Sequence, residues 1–219
     1  SFSYDYVYDQ HATQESIYCD IGNSVICNSF KGYNCCIFAY GLTGSGKTYS
    51  MLGSNGSSST VEHEGLIPRI CRDLFDKQQN HNDNDIGNCI VSYRVEVSYL
   101  EIYSEQVRDL IAGSSGVVDN LKVRQHPEFG PYVEGLSQLV IENYINIKHI
   151  IDRGNKTRAV ASTLMNSRSS RSHAIITVYF TQIINDPELG KPREIVSKIN
   201  LVDLAGSERV EISGVTGIN

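Results

Sequence analysis

Eight consecutive residues carry the clearest chemistry in this sequence: Gly41, Leu42, Thr43, Gly44, Ser45, Gly46, Lys47 and Thr48. Their order fits G-x-x-x-x-G-K-[ST], the pattern of a phosphate-binding loop. Glycine lets a backbone wrap an anion with its N–H groups turned inward. The lysine supplies a cation for the β- and γ-phosphates, and the threonine hydroxyl a ligand for Mg²⁺. The setting agrees. Cys35 to Tyr40 is an apolar run of strand length, and a helix can begin at Lys47, its N-terminus adding partial positive charge. Taken alone, the same residues also fit a Gly/Ser surface turn.

Two further stretches complete such a site. Lys198 to Val202 reads as a buried strand that ends in Asp203-Leu204-Ala205-Gly206. A carboxylate there can hold Mg²⁺ through water, and Gly206 can offer its N–H to a γ-phosphate, which makes a hydrolysis-sensitive switch. Asp and Gly after a strand are otherwise ordinary turn residues. Between the two lies Asn166-Ser167-Arg168-Ser169-Ser170-Arg171-Ser172-His173. It offers hydroxyls for the metal, N–H groups for the phosphate and a cation, just before an alternating strand from Ala174 to Gln182. A polar loop or phosphorylation target is the bland alternative.

Together the glycine-rich loop, N-x-x-S-S-R-S-H at Asn166 to His173, and D-L-A-G-S-E at Asp203 to Glu208 resemble the kinesin motor domain. Ala12 to Glu15, Gly32 to Asn34, Ile37 to Tyr40, Gly65 to Arg69 and Ser98 to Tyr103 resemble it too, so nearly the whole chain is covered. His126 to Leu136 is most similar to the kinesin-3 subfamily of vesicle transporters. Family members usually carry Gln at the position of Leu42. The resemblance also implies that residues 1–219 form part of such a domain, without its first strand and without its C-terminal microtubule-binding helices and neck linker.

The resemblance implies roles residue by residue. Gly41 to Thr48 cradle the phosphates of ATP, and Tyr49 is a candidate to touch the base or ribose. Thr48 and Ser170 ligate Mg²⁺, with Asp203 reaching it through water. Gly206 senses the γ-phosphate, while Asn166 and Ser169 position the attacking water. Arg171 and Glu208 form a salt bridge between the two switches, with Glu208 linked through water to proton removal. An ordinary surface pair of this kind is worth ~0–1 kcal/mol. The segment around Arg124, His126 and Tyr132 matches a region that touches tubulin. Residues 53–64 read as a flexible linker or, by resemblance, as a loop beside the nucleotide that hosts allosteric inhibitors. The function implied is a cytoplasmic, microtubule-associated ATPase motor, the alternative being a non-motile nucleotide- or microtubule-binding module. A signalling GTPase is disfavoured, since the chain has no N-K-x-D motif.

The 219 residues suffice for one domain with a substantial core. A net charge of −6 does not suggest a nucleic-acid binder, and binding to acidic microtubules would require basic side chains segregated on one face. No run approaches the ~20 apolar residues of a membrane span. The six cysteines show no metal-ligand spacing and read as buried free thiols of a reducing cytosol.

The elements that must position these residues follow from periodicity. Residues 13–30 and Leu66 to Lys77 carry helical spacing, and Gln78 to Asp85 reads as a polar mobile loop in which His81 is exposed rather than metal-bound. Ile90 to Ile102 alternates as a strand, Val107 to Ile111 reads as a short helix and Gly113 to Asp119 as a turn. Leu121 to Val140 reads as short strands broken by Pro127, Gly130 and Pro131. Ile141 to Thr157 reads as a helix, with Ile147, Ile150 and Ile151 on one face and Gly154 near its end. A hairpin from Ile175 to Val202 bends at Asn185 to Pro192. The sum is an α/β fold. By resemblance it is a P-loop NTPase with a kinesin-type mixed central sheet and helices on both faces.

Overall fold

The computed structural model describes residues 2–54, 61–82, 90–112, 118–128, 130–163, 168–185 and 191–208, with the side chains of 81–82, 118, 160–163 and 168–169 set aside. A helix starts as α1 (Gln14–Ile17), passes through a π turn (Tyr18–Gly22) and continues as α2 (Asn23–Phe30). Thr13 caps it, its hydroxyl accepting the Ser16 N–H while the Ser16 hydroxyl accepts the Thr13 N–H in return. Then come β1 (Cys35–Ala39), α3 (Lys47–Leu52), α4 (Leu66–Asn82) and β2 (Ile90–Tyr103). The strands β3 (Gln106–Asp109), β4 (Val118–Leu121), β5 (Val123–His126), β6 (Gly130–Val133) and β7 (Leu139–Ile141) follow. The last elements are α5 (Tyr144–Thr163), a 3-10 turn (Arg168–Arg171), β8 (His173–Asn185) and β9 (Arg193–Asp203).

Seven strands form one mixed sheet in the order β1-β9-β8-β2-β3-β4, with β7 also on β2; β5 and β6 pair separately. Among the described strands only β1 and β9 pair in parallel. Period-2 alternation assigns the faces. Val97, Val178 and Ile199 lie in one cross-strand row, and Tyr99, Ile176, Leu201 and Ile37 in the next. The helices cover this face: Ser197 donates to Ser29 of α2 at 2.6 Å, Phe30 packs on Phe180, and Gly154 of α5 lies on the Tyr99 ring. α4 packs against α2, α3 and α5, so the helices described share one layer. On the opposite face Phe38 is 63% exposed.

Several sequence expectations are corrected here. Val107 to Ile111 is not a helix. Ser104 and Glu105, with φ of 49° and 63°, make a two-residue turn that folds β3 back on β2. Neither residue is the Asn or Gly that usually signals such a turn. Gln78 to Asn82 continue α4, since no Pro or Gly breaks the helix there, and residues 83–85 lie outside the described set. The expected turn at Gly113 to Asp119 gives way to β4 from Val118; residues 113–117 lie outside the described set. α5 begins at Tyr144, since Asn143 caps it by accepting the Asn146 N–H at 2.9 Å, and it runs on to Thr163. Gly154 is therefore mid-helix. Of the cysteines described only Cys71 is buried; Cys19, Cys27 and Cys36 are exposed, and all five are free.

Candidate functional site

Parallel pairing of β1 with β9 sets Ala39 beside Asp203, so the glycine-rich loop and the downstream carboxylate leave the sheet at the same edge. From Ala39 the chain turns through 41–46 and enters α3. Gly46 caps that helix at φ 93°, a left-handed conformation that a side chain would strain. Lys47 folds back into its own loop, donating to the carbonyls of Gly41 at 3.0 Å and Leu42 at 2.7 Å. A cation is thus held at the loop's centre by acceptors that an anion can outcompete.

The Thr48 hydroxyl donates to Asp203 Oδ2 at 2.7 Å, which brings two expected metal-shell residues together. Asp203 is 3% exposed, and its Oδ1 is buried without a hydrogen-bond partner among the described residues. A buried carboxylate oxygen of this kind fits a cation's bound water. Among the described residues no group of three His, Cys, Asp or Glu could hold a metal ion by itself. Hydroxyls plus one carboxylate instead suit Mg²⁺, which keeps waters and takes its remaining ligands from phosphates.

A cavity of about 440 Å³ opens here between α3 and α5, bounded by Lys47, Thr48, Tyr49, Asn155, Arg158 and Ser170. The two switch stretches meet directly beside it. Gly206 donates its N–H to the Ser170 carbonyl at 2.8 Å, Ser207 donates to Gly41 at 3.0 Å, and Ala205 donates to His173 Nδ1 at 3.1 Å. The last contact makes Nδ1 the unprotonated nitrogen of that ring. Gly206 lies close under the Thr43 hydroxyl and the Glu208 carboxylate, which a Cβ there would push aside.

Glu208 is exposed and accepts from the Thr43 N–H at 2.9 Å and from the Thr43 hydroxyl. The Thr43 hydroxyl contact, then backbone N–H groups and the Lys47 charge, hold its carboxyl below the usual range. Arg171 is exposed on the 3-10 turn, and the described ion pairs do not include one between it and Glu208. Asn166 and the side chain of Ser169 lie outside the described residues. Leu42 is exposed and Tyr49 lines the cavity, its carbonyl accepting from Gln14 at 2.7 Å. On the separate hairpin β5–β6, Arg124 pairs opposite Tyr132 and is bound to Glu134 at 3.0 Å, with His126 at its turn end.

Arg158 was not foreseen. It is 7% exposed on α5, donates to Asp203 Oδ2 at 3.0 Å and to Ser172 at 3.4 Å, and lies 3.5 Å from Glu101. The signal was present: Ile147, Ile151, Gly154 and Arg158 form one buried helical stripe that ends in a charge. Glu101 likewise ends the inward series Val95, Val97, Tyr99 of β2. Burial pushes the Tyr99 hydroxyl up to about 12, and that hydroxyl donates to Asn155 at 2.7 Å.

The kinesin motor domain family matches residues 1–219. The kinesin-like protein KIF1B of Rattus norvegicus is 48% identical over 99% of this chain and 12% of its own length. KIF16B of Homo sapiens is 47% identical over 100% of the chain and 16% of its own length, and kinesin-related protein 1 of Dictyostelium discoideum 47% over 100% and 10%. These relatives agree with the kinesin-3 resemblance read from residues 126–136. A solved structure of a fast kinesin, described for its ATPase mechanism and interactions with microtubules, superposes with a TM-score of 0.83 at 36% identity, over 100% of this chain and 57% of that one. The chain therefore spans less than a fifth of the length of these curated relatives. The chain belongs to the kinesin motor domain family.

Proposed function

We propose that this chain is the nucleotide-hydrolysing part of a microtubule motor that works in the cytoplasm on the cytoskeleton, coupling ATP hydrolysis to movement of its switch segments. The observation that carries this reading is the meeting of Lys47, Thr48 and Ser170 around one cavity, with Asp203 bonded to Thr48 behind it and the switches joined by the Gly206–Ser170 hydrogen bond. ATP phosphates would occupy the loop from Gly41 to Thr48. Thr48 and Ser170 would hold Mg²⁺, with Asp203 acting through water. The ion neutralises charge on the β- and γ-phosphates when bound.

The remaining roles belong to this chain's own groups. Lys47 exchanges its loop carbonyls for phosphate oxygens. Gly206 exchanges the Ser170 carbonyl for the γ-phosphate, so the backbone bond between the switches is the part that responds to nucleotide. Asn166 and Ser169 orient the attacking water. Arg171 and Glu208 close the switches, which requires Glu208 to leave Thr43. The hairpin bearing Arg124, His126 and Tyr132 is the proposed tubulin contact. Among the described residues no helix is long and apolar enough to cross a membrane, and the partner proposed is the microtubule rather than nucleic acid.

The test is steady-state ATP turnover of the intact protein with and without microtubules. Stimulation by microtubules that requires Mg²⁺ supports the motor reading. Nucleotide binding with no stimulated turnover would favour a non-motile module instead.

A further inference from the structure

Glu64 is a buried carboxylate, 7% exposed, that does not line the cavity yet is joined to three helices. Its Oε2 pairs with Arg72 of α4. Its Oε1 accepts the Tyr144 hydroxyl of α5 at 3.2 Å and pairs with the Lys148 ammonium of α5 at 3.5 Å. Arg72 also donates to the Tyr144 oxygen at 3.2 Å and lies over that ring. The backbone of Glu64 is held as firmly as its side chain. It pairs with Gly53, the C-cap of α3. Buried Arg69 donates to the Glu64 carbonyl at 2.8 Å and to those of Val61 and Glu62 at 2.8 and 3.2 Å. The adjoining Gly65 packs on the end of α3 so closely that a Cβ would meet Gly53 N, the Met51 carbonyl carbon and Leu52 N within 2.7 Å.

We propose that Glu64 is a positioning residue that fixes the α5 wall of the nucleotide site relative to α3. This rests on the reading of that site as one for Mg²⁺ and nucleotide. The two helices supply opposite walls of the cavity, α3 with Thr48 and Tyr49 and α5 with Asn155 and Arg158. α3 has only six residues, about 9 Å of helix, so a backbone held at Gly53 sets where Thr48 stands. Tyr144 and Lys148 lie two to three turns before Asn155, about 10–16 Å along α5. The 3-10 turn that carries Ser170 packs against α5 in its turn. Glu64 thus links the helix of one expected Mg²⁺ ligand, Thr48, to the helix that supports the other, Ser170. A carboxylate out of water is costly unless its partners stay in place. α5 therefore cannot tilt or slide away from the end of α3 without stripping Oε1 of both its contacts.

The experiment follows dissociation of a fluorescent ADP analogue from the intact protein, once in Mg²⁺ and once in EDTA. Thr48 and Ser170 share an ion only when Mg²⁺ is present, so only the Mg²⁺ rate reports how the two walls are spaced. Tyr144→Phe combined with Lys148→Met cuts both contacts to α5 and spares the Glu64–Arg72 pair. It should speed dissociation in Mg²⁺ about three- to tenfold, the scale of a lost hydrogen bond and ion pair, and leave the rate in EDTA unchanged. Glu64→Gln should give the same pattern. Tyr144→Phe combined with Lys148→Arg, which keeps the ion pair, should recover much of the parent rate. Where circular dichroism shows either of the first two variants unfolded, Tyr144→Phe alone is read, with a smaller shift of the same kind. An unchanged Mg²⁺ rate in a folded variant overturns the proposal, as does equal acceleration in Mg²⁺ and EDTA, the mark of a general loosening. If dissociation from the parent protein does not depend on Mg²⁺, the reading of the site falls, and the proposal with it.

Discussion

Glu208 rests on Thr43 of the glycine-rich loop and not on Arg171: its carboxylate accepts both the Thr43 N–H, at 2.9 Å, and the Thr43 hydroxyl. The stretch from Asp203 to Glu208 is thereby tied to the glycine-rich loop. Because the carboxyl is held below its usual range, this contact is present at neutral pH and is lost as pH falls through the lowered value. Thr43→Ala should return the Glu208 carboxyl toward ordinary behaviour. Carbon-13 NMR titration reads this directly, and an unshifted midpoint would contradict the contact. Arg171→Ala should leave the same titration unaltered.

Lys47 makes a prediction with two readouts. Lys47→Ala removes the cation and also the two bonds that brace the loop carbonyls of Gly41 and Leu42. A charged hydrogen bond is worth about 1.5–3 kcal/mol, so ATP affinity should fall roughly ten- to a hundredfold or more. Equilibrium titration with a fluorescent analogue decides it. Equal affinity of mutant and parent would remove this loop from the site.

Gly154 lies mid-helix with no room for a Cβ, because the Tyr99 ring occupies that space. Overpacking of this kind costs about 1–3 kcal/mol. Gly154→Ala should therefore lower the melting temperature by several degrees, about 2–4 °C per kcal/mol in a domain of this size. It should also disturb the Tyr99–Asn155 bond at the cavity wall. An unchanged melting curve would mean that α5 stands farther from the sheet.

Burial separates the cysteines by reactivity. The Cys71 thiol is pushed up to about 12 by desolvation, whereas Cys19, Cys27 and Cys36 are exposed. With Ellman's reagent, those three should react in the native protein and Cys71 only after unfolding. Modification of Cys71 at the rate of Cys19, mapped by mass spectrometry, would contradict the packing of α4.

How much was legible in the sequence depended on the kind of signal. The glycine-rich loop, the strand that feeds it and Asp203 could be read because motif and periodicity coincide there, and the structure joins them through parallel pairing of β1 with β9. The β2–β3 turn was missed because Ser104 and Glu105 adopt positive φ without the residues that advertise it. The expectation of buried cysteines failed because short apolar runs do not reveal which face meets the core: Cys36 and Cys35 are neighbours on opposite faces of β1. Arg158 and Glu101 were passed over for another reason. Each is a charge that ends an apolar stripe, and neither stripe alone says that a second one meets it across the sheet.

The sharpest prediction returns to Arg171 and Glu208. They lie on the two switch stretches, which already touch through Gly206 and Ser170 at 2.8 Å, yet Glu208 is engaged elsewhere. If closure around a γ-phosphate transfers Glu208 from Thr43 to Arg171, the pair becomes desolvated, and loss of either partner costs more than an exposed ion pair would. Arg171→Ala and Glu208→Ala should each leave ATP binding largely intact in the intact protein. Each should reduce microtubule-stimulated hydrolysis on the order of a hundredfold or more, the scale for removing one member of a catalytic unit. The double variant should be hardly worse than either single one, because the two act together. Thr43→Ala should act differently, removing only the hydroxyl contact to Glu208 and leaving both members of the pair, so that hydrolysis largely survives. Losses that simply multiply in the double variant would show that Arg171 and Glu208 work independently and that the transfer does not occur.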